Sequence, residues 1–175
     1  MDINTRLFFK INGPLGRSRL LDNFGRAGGE LVIIAMIGWY MASAAVDHLP
    51  EVKKVILPIV FLFCAWVVGW FLNLGLARLV REPRPYITYP QIKFLFKPLM
   101  GWRSFPSDHA MSAFVIVFMA HVFHLPSAWA LVPMAVWVVW ARVYAGVHYP
   151  LDILGGVAVA ALVSAITSLL LVAFS

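Results

Sequence analysis

The chain has 175 residues, 62% of them hydrophobic and 13% charged, with a formal net charge of +6. A soluble domain is about 45–50% apolar, so this composition, with a mean hydropathy of +0.85, excludes an ordinary soluble domain. It turns the positive charge toward anionic lipid or phosphate rather than nucleic acid. The single Cys64 excludes an internal disulfide, and no Cys/His spacing resembles a zinc site.

Residues 2–12 set Leu7, Phe8, Phe9 and Ile11 against Arg6 and Lys10. The run is too short to cross a bilayer and suits a helix lying in the interface. It also lacks the h-region and cleavage site of a signal peptide. Asn12-Gly13-Pro14 breaks it, and a second short helix follows through Leu20, Leu21 and Phe24 to Gly28-Gly29. Apolar runs then predict five membrane spans. They cover about 31–46, 55–80, 107–123, 128–144 and 150–174. Gly155, Gly156 and the alanines of the last span favour close helix packing. Residues 47–54 form a polar loop, and 81–106 form the longest stretch outside the spans, rich in Pro, aromatic and basic residues. The expected fold is an all-α polytopic membrane helix bundle of about five transmembrane helices plus short N-terminal interfacial helices. It forms a single domain, 1–175.

Span parity gathers three polar islands. The second span ends, the third begins, the fourth ends and the fifth begins on one membrane face. Residues 78–85, 103–109 and 142–152 therefore converge there. Ionisable groups at a membrane boundary are costly and mark function. In the first island Pro83 and Pro85 hold Arg84 on a stiff extended segment, with Arg78 and Arg81 beside it. A guanidinium fork matches phosphate; taken alone, these arginines also read as an ordinary basic flank. In the second island Ser107 is a good N-cap for the third span, whose first turn is an anion site. His109 in that turn moves protons near neutral pH. Asp108 stabilises the helix start or pairs with an arginine. The third island holds Arg142, with His148 six residues on and Asp152 four further. A carboxylate on one imidazole nitrogen sharpens the other as a nucleophile or base. Away from the convergence, His48, His121 and His124 fall on the opposite face. Trp66, Trp70, Trp137 and Trp140 read as core, lipid-facing or interfacial residues.

These islands resemble the three signature motifs of the type 2 phosphatidic acid phosphatase superfamily: Lys-x6-Arg-Pro, Pro-Ser-Gly-His, and Ser-Arg-x5-His-x3-Asp. Arg84-Pro85 matches the end of the first, Pro106-Ser107-Asp108-His109 the second with one change, and Arg142, His148 and Asp152 the third at full spacing. The resemblance covers roughly residues 55–170. Three positions depart from it. Ala77 stands where the first-motif lysine falls, with Arg78 or Arg81 as neighbours to replace it, Asp108 stands for the glycine, and Ala141 for the serine.

The resemblance implies a membrane lipid phosphatase that needs no cofactor and no metal. Arg84, Ser107 and Arg142 would hold the phosphoryl oxygens, with Asp108, Arg78 and Arg81 as further phosphate-binding candidates. His148 would attack phosphorus, Asp152 would orient it, and His109 would protonate the leaving oxygen and then activate water. Asp108 resembles the undecaprenyl-diphosphate phosphatase branch, which makes that lipid the expected substrate. Lipid A 1-phosphate, phosphatidylglycerol phosphate and phosphatidic acid are the alternatives, and transfer to a second lipid is the alternative to hydrolysis. From another class, a non-catalytic membrane binder or transporter subunit explains the spans but not the His-Asp spacing. The expected partners are the lipid phosphate and the bilayer, with no nucleic acid and no obligate protein partner. The expected location is the bacterial inner membrane. Of the 14 Lys and Arg, only Lys53 and Lys54 fall on the face away from the site. The positive-inside rule therefore turns the site inward. The resemblance turns it outward, to the periplasm, and that is the expectation taken.

Overall fold

The computed structural model describes residues 1–46, 51–98, 101–126 and 128–174. It contains eight α-helices among them and no strand. Asp2 caps α1 (Ile3–Asn12), its carboxylate accepting from Thr5 N at 2.7 Å, and Ser18 caps α2 (Arg19–Glu30). Next come α3 (Val32–Val46) and α4 (Val52–Val80). The sequence Glu82-Pro83-Arg84-Pro85 cannot continue α4, since each proline bars helical geometry in the residue before it. Arg81 closes α4 with a left-handed φ of 51°, and Pro85 opens the short α5 (Pro85–Thr88). That turn lies inside the long stretch, 81–106, expected outside the spans. The remaining elements are α6 (Asp108–Val122), a 3₁₀ turn at Ala128–Ala130, α7 (Leu131–Tyr144) and α8 (Pro150–Phe174).

The bundle is organised around α6, which packs against α3, α4, α7 and α8. Its buried Met111, Val115 and Met119 meet Met36 and Tyr40 of α3, Leu131 and Val138 of α7, and Val163 of α8. Outside this core many large apolar side chains are exposed, among them Phe63 and Phe71 of α4 and Leu169 and Val172 of α8. Hydrocarbon rather than water suits such a surface, as a membrane bundle requires.

The five-span expectation holds in part. Helices α4 and α8 are long and apolar enough to cross, and α2 with α3 meets the test as a pair bent by 50°. Helices α6 and α7 have 15 and 14 residues, roughly 22 Å at 1.5 Å per residue, against a hydrocarbon core of about 30 Å. Their lengths suit a bundle whose polar ends sink below the surface. The first helix does more than lie in the interface. Its Phe8 is fully buried, packed with Val143, Tyr149 and Ile153, and Asn12 donates to the Tyr144 carbonyl at 2.8 Å. The expected position of His48 lies outside the described residues.

Candidate active site

The loop between α7 and α8 turns sharply at Gly146, whose φ of +79° and closeness to the Lys93 carbonyl both require glycine. This turn brings His148 back under Arg142 and ahead of Asp152 in the first turn of α8. The Phe105–Ser107 turn then presses onto α8. A Cβ at Gly156 would collide with the Ser107 carbonyl, so glycine there sets the closeness of approach. The Ser107 N–H donates to the Asp152 carbonyl at 3.0 Å, and Ser107 Oγ accepts from Ala110 N at 3.4 Å to cap α6.

Three islands distant in sequence thus become one site. Arg84, Ser107, Arg142, His148 and Asp152 are each at most 5% exposed. His148 has a different partner on each ring nitrogen. Nδ1 lies 3.4 Å from Asp152 Oδ2, and Nε2 lies 3.1 Å from Arg84 Nη1. A guanidinium only donates, so Nε2 is the acceptor and the proton sits on Nδ1 facing the carboxylate. Asp152 Oδ2 is itself fixed by Tyr149 N at 2.7 Å and Ser104 Oγ at 2.5 Å. Arg84 Nη1 also donates to the Val147 carbonyl at 2.8 Å, which locks the first island to the third. Arg142 donates to the Gly29 carbonyl at 3.1 Å and lies over the Phe96 ring at 5.0 Å.

Burial first, then the charges of Arg84 and Arg142, hold the His148 imidazole well below its ordinary range. Both effects disfavour a third positive charge there, which keeps the Nε2 lone pair as the acceptor of the Arg84 hydrogen bond. Arg84, Asp108, His109, Arg142 and His148 line a cavity of about 520 Å³. Trp66, Trp70 and Ser112 form another wall, and Gly29, Glu30, Phe96, Lys97 and Pro98 a third. Two arginines, two histidines and a helix N-terminus around one cavity can bind a phosphoryl group, attack it in line and move a proton.

Some sequence expectations change. Arg78 and Arg81 are exposed, and Arg81 Nε turns back to the Arg78 carbonyl at 3.0 Å. Neither lines the cavity, because the left-handed turn at Arg81 ends α4 before the chain reaches Arg84. Asp108 does line it, but Arg103 Nη2 holds its Oδ2 at 2.5 Å and Asn73 Nδ2 its Oδ1 at 3.0 Å. Trp66 and Trp70, expected in core, lipid or interface, also face the cavity. Sequence reasoning missed Arg103, Ser104 and Asn73 as site supports. Arg103 and Ser104 lay within the second island, and their place beside Pro106-Ser107-Asp108-His109 was the available signal; Asn73 sits mid-helix and gave none.

Comparison with known proteins accords with this geometry. Residues 53–174 match the family model described as the PAP2 superfamily. The chain belongs to that superfamily, the type 2 phosphatidic acid phosphatases its motifs resemble. It is 34% identical over 125 residues to the putative undecaprenyl-diphosphatase YbjG of Escherichia coli, covering 71% of this chain and 58% of that protein. It is 32% identical over 119 residues to the bacitracin transport permease protein BcrC of Bacillus licheniformis, covering 67% and 58%. The match thus spans somewhat over half the length of each of these two relatives. The crystal structure of Aquifex aeolicus LpxE is similar over 95% of both chains, with a TM-score of 0.71 and 28% identity.

Proposed function

We propose that this protein is a membrane lipid phosphatase that removes phosphate from undecaprenyl diphosphate through a phosphohistidine at His148. The observation that carries the reading is the bracketing of His148. Its Nδ1 faces Asp152, and its Nε2 points past Arg84 into a cavity shared with Arg142 and His109. The similarity to YbjG, named for the same substrate, supports the choice of lipid.

The substrate phosphate enters between Arg84, Arg142 and the N-terminus of α6, and takes over the guanidinium donors now facing Nε2. His148 Nε2 then attacks phosphorus as the bond to the leaving oxygen breaks. The imidazole becomes cationic, and Asp152, held by Ser104 and Tyr149, offsets that charge without moving. Negative charge arriving beside His109 favours its protonated form, and that proton goes to the leaving oxygen. Neutral His109 next takes a proton from water, whose oxygen attacks the phosphorus of the phosphohistidine. The P–N bond breaks, and inorganic phosphate leaves with His148 restored. Fixed cations meet the charge on the transferring group, the source from which most of the acceleration comes. These steps use side chains alone and call for no metal. The prenyl chain stays in hydrocarbon, past Trp66 and Trp70, and the site faces outward from a bacterial inner membrane.

The test is phosphate release by the detergent-purified chain from undecaprenyl diphosphate, lipid A, phosphatidylglycerol phosphate and phosphatidic acid, each with and without EDTA. Chelator-resistant release, fastest from undecaprenyl diphosphate and absent in His148→Ala, is expected. Faster release from another lipid overturns the substrate. Loss with EDTA overturns the metal-free route, and release by His148→Ala overturns the nucleophile. Labelling of Glu51→Cys and Gln91→Cys in intact cells, with Cys64 removed, decides the facing. An outward site requires an impermeant thiol reagent to reach position 91 and not position 51.

A further inference from the structure

Behind the candidate nucleophile, Asp152 has one oxygen fully used and one unused. Its Oδ2 accepts from Ser104 Oγ at 2.5 Å and from Tyr149 N at 2.7 Å, and it faces His148 Nδ1. Its Oδ1 is buried and meets no donor among the described residues. A buried carboxylate oxygen without a donor is costly.

The side chain within hydrogen-bonding reach of Asp152 that the mechanism does not use is Glu82. The backbone delivers it there. Glu82 follows the left-handed turn at Arg81, and its carbonyl accepts at 2.9 Å from the N–H of Ser104, the residue whose hydroxyl holds Oδ2. Its side chain is half-buried and lines a cavity of about 190 Å³ with Asp2, Asn4, Thr5, Thr88 and Tyr149. None of these residues lines the phosphate cavity, so Glu82 approaches Asp152 from outside it.

Two ionised carboxylates at hydrogen-bonding distance repel, and each can only accept. One proton between them turns the repulsion into a bond. Asp152 already accepts from two donors and faces the imidazole at Oδ2, which is the work of a carboxylate. Glu82 has the opposite surroundings: burial first, then the charges of Asp152 and of Asp2 in α1, raise its carboxyl to about 7. The Tyr149 phenol is the other titratable group beside it. Arg84, two residues on, turns to His148 and the Val147 carbonyl.

We propose that Glu82 is a positioning residue for the nucleophile, its carboxyl holding a proton that it donates to Asp152 Oδ1. Asp152 then keeps a single charge and is held at both oxygens. Its Oδ2 stays toward His148 Nδ1 while the imidazole becomes cationic. The inference rests on the phosphatase reading above.

Its test uses full-length Glu82→Gln and Glu82→Ala in detergent, with kcat and KM for phosphate release followed against pH. The glutamine amide still donates to Oδ1 but does not titrate. Below about pH 7 Glu82→Gln keeps the wild-type kcat. Glu82→Ala loses about 10-fold in kcat with KM unmoved, the worth of one hydrogen bond to a charged group. As the pH rises past about 7 the Glu82 proton leaves, and wild-type kcat falls toward that of Glu82→Ala. Glu82→Gln lacks this fall. Any fall that belongs to His109 is common to all three proteins, so the ratio of wild type to Glu82→Gln against pH is the readout.

A side chain that only filled space would lower the melting temperature on truncation and leave that ratio flat. Infrared spectra read the proton directly. A protonated-carboxyl band that fades over the same pH range in wild type and is missing from Glu82→Gln is expected. The proposal is overturned if Glu82→Ala keeps the wild-type kcat, if Glu82→Gln drops to the level of Glu82→Ala, if the ratio does not change with pH, or if the band survives in Glu82→Gln. The band needs no turnover. A wild type that releases no phosphate from any lipid therefore sinks the phosphatase reading alone, and the infrared comparison still decides this one.

Discussion

Helix α6 carries a histidine near each end, and the two ends differ in everything around them. His109, in the first turn, lines a cavity with Arg84, Arg142 and His148. His121, in the last turn, donates from Nδ1 to its own helix at the Val117 carbonyl, 2.8 Å away, and packs edge-on against Trp129 at 4.5 Å. Beyond the far end, the described cation Lys54 is exposed and paired with Glu51 at 3.0 Å, an arrangement of little energetic weight. At the near end two buried arginines, Arg84 and Arg142, line the pocket, and a third, Arg103, is paired with Asp108. One residue type on one helix is thus part of a candidate catalytic group at one end and a packing group bonded through one ring nitrogen to its own helix at the other. The difference lies in which neighbours the fold delivers.

That contrast breaks most sharply at His148. His148→Ala is expected to lower phosphate release on the order of 10⁴-fold or more, as loss of a nucleophile does, with the melting temperature little changed. His109→Ala is expected to cost about 10²–10⁴-fold in kcat, the range for a general acid–base group. Part of that loss should vanish with a phosphate ester of a good leaving group, which needs no proton. Equal losses for good and poor leaving groups would remove His109 from the acid role.

A packing comparison comes next. Gly156→Ala forces a methyl against the Ser107 carbonyl, whereas a Cβ at Gly38 meets nothing within 4 Å. The first is expected to destabilise by about 1–3 kcal/mol and to lower activity by moving Ser107 off Asp152. Gly38→Ala should leave both unchanged, and thermal melts in detergent separate the two.

The pH profile sharpens the electrostatic side. With His148 held below its ordinary value by burial and by Arg84 and Arg142, its protonated, non-nucleophilic form appears only in acid. The acid limb of kcat/KM, which reports the free enzyme, is expected below about 6.5, the ordinary imidazole value. A limb at or above that value would mean that the arginines do not act on Nε2. The smallest effect belongs to the far end, where His121→Ala is expected to keep activity within about two-fold, as substitutions away from a site do.

The residues of this site were largely legible in the chain because membrane folding makes them conspicuous. Charges are rare within apolar runs, so Arg84, His109, Arg142, His148 and Asp152 stood out. Span parity put them on one face, and the described cavity gathers four of them. The limits of α3, α6 and α8 were also close, since caps and prolines are local signals: Ser107 opens α6 and Pro150 opens α8. The misses were contacts between elements. Nothing local marks Arg103 as the partner of Asp108, Ser104 as a ligand of Asp152, or Asn73 as a bridge from α4. The flanking prolines set Arg84 apart, but Arg78 and Arg81 stayed further candidates, since all three are arginines at a helix end.

The sequence by itself determined the class of fold and most of the polar residues that gather in the candidate site, because hydrophobic runs and the cost of charge in lipid are written residue by residue. Only the tertiary structure decided which arginines enter the cavity, which tautomer His148 holds and how Asp108 is neutralised. Those depend on distances of about 3 Å between segments some 30 to 60 residues apart, set by the close approach of α8 to the start of α6 and by the turn at Gly146.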